Sequence, residues 1–299
     1  MINLKSRISF RELRKGGGIR EMPEITPRNA LTRSGHLLLL VHGFQNDAAA
    51  AQKSYDAFMA RQEVFSRLNT EVLRVLWPGD TGLLFYHYSI PRAQRTALML
   101  ARELCEATLR RPDLTIDVVA HSMGCRLTLE LLRYLRQQPG PQPRVRRIFF
   151  MAAAVPLERL AAFVPAPAGS LREALEMGTA RVLSLYSPDD WVLGKTFPYG
   201  QEKADRVGLD ESGRPPVALG FAGWTAGALG APRFLQKVAQ PCGHFDYWPD
   251  KKGVVAPLAR GYLRAGVLPL PRRYARIRTA RTRHVANGIR PELPARRLG

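Results

Sequence analysis

Residues 114–124 read Leu-Thr-Ile-Asp-Val-Val-Ala-His-Ser-Met-Gly, and Leu127, Leu131, Leu132 and Leu135 then recur at helical spacing up to Pro139-Gly140. The run from Leu114 to Ala120, rich in β-branched residues, predicts a buried strand. Helical periodicity starts at once after Ser122, so the serine sits on a sharp strand-to-helix bend. Strand and helix must approach closely there. That requirement accounts for the small residues Ala120 and Gly124, two before and two after the serine. The first N–H groups of the following helix point back over the bend.

Working outward, the same alternation recurs. His36-Leu-Leu-Leu-Leu-Val41 predicts a fully buried strand between Gly35 and Gly43. Residues 48–68 carry apolar side chains at roughly helical spacing, and Glu71–Trp77 predicts another strand, stopped by Pro78-Gly79. Pro91 to Leu109 predicts a helix with proline in its first turn. Further strands are predicted at 145–152, 180–186 and 234–239, a short helix at 171–177, a last helix at 254–264, and a long irregular stretch at 195–232. Strands alternating with helices imply an α/β fold: a mostly parallel central sheet with helices on both faces and right-handed crossovers. Three regions are expected: a basic segment, 1–34, with room for edge strands; an α/β domain, 35–265; and an Arg-rich tail, 266–299.

Composition narrows the function classes. The 299 residues carry 45 Lys plus Arg against 25 Asp plus Glu, a formal charge of +20. That imbalance bears on partners and solubility, not on fold. Three cysteines with no CxxC pair argue against a disulfide framework or zinc site. The start lacks an apolar secretion signal, and apolar runs such as Leu37–Val41 are too short to span a bilayer, so a cytoplasmic protein is expected, with signal-less export as the alternative.

A serine hydroxyl is a weak nucleophile at neutral pH; it needs a base, and the base needs an orienting acid. Of six histidines, only His244 follows a late strand on a loop before a terminal helix. The acid should follow the strand at 180–186, where Asp189 and Asp190 stand side by side. Oxyanion donors would come from the Phe44 N–H in Val41-His42-Gly43-Phe44 and from the Met123 N–H.

Together VHGFQND, RVLWPGD, VVAHSMGCRL, YSPDDWVL and GHFDYWPD, within residues 35–265, resemble the α/β-hydrolase superfamily. The nearest likeness is to a bacterial group of serine hydrolases and esterases whose substrates are mostly unassigned. The resemblance implies a sheet of about eight strands, a site above its carboxyl ends, no metal and no organic cofactor. It favours Asp190 over Asp189 as the acid and gives Ser122, His244 and Asp190 the roles of a catalytic triad. The expected activity is cleavage of a carboxylic ester through an acyl-enzyme. Acyl transfer by the same residues, and a silent binding protein that keeps the fold, are the alternatives.

For the substrate pocket, Phe197, Tyr199, Phe221 and Trp224 are the candidates, since 195–232 is aromatic and lies between acid and base. An apolar loop on a cationic protein points to a small-molecule or lipid-like ester, with an anionic membrane surface or acidic protein as partner for the tail. The tail from Pro271 has nine arginines but one aromatic residue, Tyr274, and no nucleic-acid module, so nucleic acid is not the expected partner.

Overall fold

A computed structural model describes residues 6–12, 18–61, 70–82, 85–161, 180–206, 216–223, 234–238 and 242–265. All belong to one compact unit, Met1–Gly266. The expected short helix at 171–177, Trp224 and the Arg-rich tail lie outside the described residues.

Eight strands form one sheet: β1 (Arg7–Arg11), β2 (Ile19–Thr26), β3 (His36–Val41), β4 (Glu71–Leu76), β5 (Thr115–His121), β6 (Arg144–Met151), β7 (Arg181–Tyr186) and β8 (Phe234–Val238), in the order β2-β1-β4-β3-β5-β6-β7-β8. Only the β1–β2 pair is antiparallel; every other neighbouring pair is parallel. The strands of the segment before residue 35 thus extend one edge of the sheet.

Central strands are covered on both faces and read as continuous apolar runs. Leu37 to Val41 are buried throughout, as are Ile116 to Ala120. β4 is buried too, although its sequence contains Glu71 and Arg74. Each charge has a partner: Glu71 Oε2 lies 2.5 Å from Arg33 Nη2, and Arg74 is held by Gln52 and Asp56. Pairing is what makes such burial affordable.

Among the described residues the helices are α1 (Ala48–Ala60), α2 (Tyr86–Arg110), α3 (Met123–Gln137), α4 (Leu157–Ala161), α5 (Phe197–Arg206), α6 (Leu219–Ala222) and, after the last strand, α7 (Val255–Ala265). Asp47 caps α1, its carboxylate accepting the Ala50 N–H at 2.8 Å. α2 packs along α3. It begins five residues before Pro91, which therefore lies inside the helix, not in its first turn. A proline there leaves the His87 carbonyl without its helical donor.

The stretch expected to be irregular is the clearest departure. A π-helical turn, Val192–Thr196, runs directly into α5, and α6 follows at 219–222. α5 contains Pro198 and Gly200, poor helix formers in isolation. A Cβ on Gly200 would stand 2.9 Å from the Tyr86 ring, so the glycine permits α5 to pack on α2. Tertiary contact overrides local propensity. Among the described residues, no helix is long and apolar enough to cross a membrane.

Candidate active site

In a mostly parallel sheet, functional groups gather at the carboxyl ends of the strands. Here Phe44 follows β3, Ser122 follows β5, Asp190 follows β7 and His244 follows β8.

Ser122 has φ 54° and ψ −123°, a conformation non-glycine residues rarely hold. Such strain costs about 1–3 kcal/mol and persists only when its surroundings impose it. Three backbone bonds impose it here: the Ser122 N–H donates to Met151 O at 2.9 Å, and Ser122 O accepts from Cys125 at 3.0 Å and Ala154 at 3.2 Å. Gly124 is equally constrained, since a Cβ there would lie 2.5 Å from His42 O and 2.6 Å from Val41 O.

His244 Nε2 stands 3.0 Å from Ser122 Oγ, and its Nδ1 stands 2.8 Å from Asp190 Oδ2. Asp190 is fully buried, and its other oxygen accepts the Leu193 N–H at 3.0 Å. The neighbouring Asp189 is exposed and does not reach the imidazole. One carboxylate is thus fixed behind the ring, and the other faces solvent.

Residues 25–196, more than half of the chain, match the family described as alpha/beta hydrolase of unknown function (DUF900). The chain belongs to this family. Solved structures to which the chain is similar include a thioesterase from the prodiginine biosynthetic pathway in Streptomyces coelicolor, at 16% identity over 76% of this chain and 91% of that one, TM-score 0.40. An esterase/lipase from an uncultured bacterium is 13% identical over 75% of this chain and 74% of that one, TM-score 0.43. MenH from S. aureus is 14% identical over 77% and 94%, TM-score 0.40. A comparison with curated proteins returns no match.

In this DUF900 chain the Phe44 and Met123 amides have no hydrogen-bond partner among the described residues. Met123 is the first residue of α3, where an N–H has no intrahelical acceptor. The turn bearing Phe44 is held by its neighbours. Tyr55 Oη accepts the His42 N–H at 2.8 Å and donates to Val75 O at 2.7 Å. Trp77 Nε1 donates to His42 O at 2.9 Å, and its ring stacks on His42 at 5.4 Å. Burial pushes the His42 imidazolium down to about 4, so the ring is neutral at physiological pH.

One functional neighbour, His121, carries no sequence signal beyond its place in the bend. Its Nε2 donates to the backbone carbonyl of His244 at 2.9 Å, and the two rings lie 4.8 Å apart. Burial, reinforced by the nearby His244, holds its pKa well below the usual histidine value. The neutral ring therefore anchors the His244 loop without adding charge. Trp248 anchors the same loop from below, edge-on to Tyr55 at 5.3 Å and Phe58 at 5.4 Å.

Of the four expected pocket residues, Phe197 and Tyr199 line the cavity that contains Ser122 and His244. Phe221 is not among the residues lining that cavity; its ring lies against Gly194, where a Cβ would stand 2.7 Å from it. Trp224 lies outside the described residues.

Proposed function

We propose that this DUF900 chain is a serine hydrolase that cleaves a carboxylic ester through an acyl-enzyme on Ser122. The observation that carries the reading is His244 spanning Ser122 Oγ and Asp190 Oδ2 within hydrogen-bond distance of both.

With Asp190 accepting the Nδ1 proton, the neutral ring turns the Nε2 lone pair toward the serine hydroxyl. Ser122 Oγ attacks the ester carbonyl carbon as its proton passes to Nε2. The carbonyl electron pair becomes an oxyanion facing the Phe44 and Met123 amides, a form of stabilisation worth several kcal/mol in such sites. The C–O bond to the alcohol then breaks, the leaving oxygen takes the proton from Nε2, and the acyl group stays on Ser122. Water repeats the sequence, its proton going to His244 and then to the departing serine oxygen. The products are a carboxylic acid and an alcohol.

Hydrolysis of p-nitrophenyl acetate, with peptide mapping of the acid-quenched enzyme, tests the reading. Acetyl should map to Ser122, and Ser122→Ala should neither turn over nor acetylate. Wild-type turnover surviving in Ser122→Ala, or no turnover in folded wild type, would remove the proposal; the latter is what a silent binding protein would give.

A further inference from the structure

The cavity over Ser122 has a closed end and an open end. Phe44, Tyr86 and Phe197 build the closed end, their rings meeting edge to face at 5.5 Å (Phe44 to Tyr86) and 6.0 Å (Tyr86 to Phe197). Tyr86 is 7% exposed and Phe197 3% exposed. Gly200 locks the arrangement, since α5 meets the Tyr86 ring at a distance that leaves no room for a side chain. At the open end Tyr199 and Phe245 are 63% and 62% exposed.

These ends can be matched to the two halves of an ester. The leaving alcohol must receive its proton from His244 and then escape, so it belongs on the side of His244 and the exposed Phe245. The acyl group stays bonded to Ser122 while water enters, so it belongs at the closed end. The cavity holds about 110 Å³, less than the roughly 150 Å³ that accepts a benzene ring.

We propose that the wall formed by Phe44, Tyr86 and Phe197 makes this site selective for short over long acyl groups, with the alcohol leaving past the exposed Tyr199 and Phe245. The inference rests on the serine-hydrolase reading above. It departs from the lipid-like acyl group that the aromatic stretch 195–232 alone would favour.

A chain-length series tests it, with active-site titration as the control. Diethyl p-nitrophenyl phosphate phosphorylates a reactive serine and releases one p-nitrophenolate, whatever acyl group the enzyme prefers. Wild type should release it stoichiometrically, and Ser122→Ala should release none. On p-nitrophenyl acetate, butyrate, octanoate and laurate, kcat/KM should fall on the order of 100-fold from butyrate to octanoate. Phe197→Ala and Tyr86→Ala should raise the octanoate-to-butyrate ratio roughly tenfold. That ratio is independent of how much of each variant folds, and Phe197→Leu offers a milder change of the same wall. Stoichiometric titration with octanoate or laurate cleaved as well as butyrate would overturn the acyl-length inference and leave the hydrolase reading standing. A ratio unmoved in all three variants would overturn the assignment of the wall. Failure to titrate would overturn both readings.

Discussion

Among the described residues, two histidine–aspartate pairs lie at opposite ends of the same sheet. At the carboxyl end, His244 and Asp190 meet at 2.8 Å with Ser122 on the other ring nitrogen. At the amino end, His36 Nε2 lies 3.0 Å from Asp117 Oδ2 and Nδ1 lies 2.8 Å from Thr70 Oγ1, so hydroxyl, imidazole and carboxylate line up there as well. The difference lies in what surrounds them. Arg146 grips both oxygens of Asp117, at 2.7 and 3.3 Å, and its Nη2 is also 2.8 Å from His36 Nε2. That carboxylate is already neutralised, and it lies below its usual pKa despite burial because His36 and Arg146 favour the charged form. Thr70 is not among the described residues with positive φ, whereas Ser122 is. The Ser122 chain differs further in standing on a strained bend, beside a cavity and beside two amides that have no partner among the described residues.

Breaking each hydroxyl–imidazole pair separates the two regions most sharply. Ser122→Ala or His244→Ala should lower esterase kcat by roughly a million-fold, as losing either partner does in comparable triads. Thr70→Val or His36→Ala should leave kcat within about threefold. Comparable losses at both ends would erase the distinction.

The carboxylates differ next. Asp190→Asn should cost about 10⁴-fold in kcat, because an amide facing Nδ1 favours the wrong tautomer. Asp117→Asn should leave kcat near wild type and instead destabilise the fold by about 2 kcal/mol, read as a lower urea midpoint. The cost stays below that of a fully buried pair because the Arg146 side chain is 30% exposed.

The His36–Asp117 pair has no signal in the amino-acid order, whereas much of the fold and of the Ser122 site is legible there. Leu114–Gly124 and His36–Val41 can be read because burial on both faces leaves continuous apolar runs, and the bend at Ser122 because periodicity changes there. The start of α2 at Tyr86 and all of α5 cannot, since Pro91, Pro198 and Gly200 argue locally against helix, and at Gly200 it is the close approach of α5 to Tyr86 of α2 that calls for glycine. Residue type and chain order single out Ser122 and His244, and they narrow the acid to two adjacent residues. Burial then separates those two, placing Asp190 inside and Asp189 outside. His121 is invisible as an anchor because its acceptor lies 123 residues away.

Acid should sharpen the comparison from another side. The carboxyl end buries His42 and His121 in neutral form, both with folded pKa values below 6.5. The unfolded chain binds their protons first as pH falls. Each contribution is therefore complete above about pH 6.5 and is lost as pH falls below it; for His42 the loss runs down to about pH 4 and is worth about 3 kcal/mol. Urea unfolding at pH 7.5 and 5.0 should show this loss in wild type and a smaller one in His121→Asn. Equal losses in the two proteins would assign the acid sensitivity elsewhere.

The smallest effect concerns His121 as a positioning residue. His121→Ala should reduce kcat roughly tenfold with little change in KM, because the His244 loop loses its donor while the pocket keeps its walls. His121→Gln, which restores an N–H donor, should recover part of the loss. A change confined to stability would reduce His121 to packing.

The most direct test of the central claim follows the rate and position of covalent capture by diisopropyl fluorophosphate. The adduct should map to Ser122, its rate should collapse in His244→Ala, and it should stay near wild type in His36→Ala. An adduct on another residue, or equal slowing by the two histidine substitutions, would contradict the account.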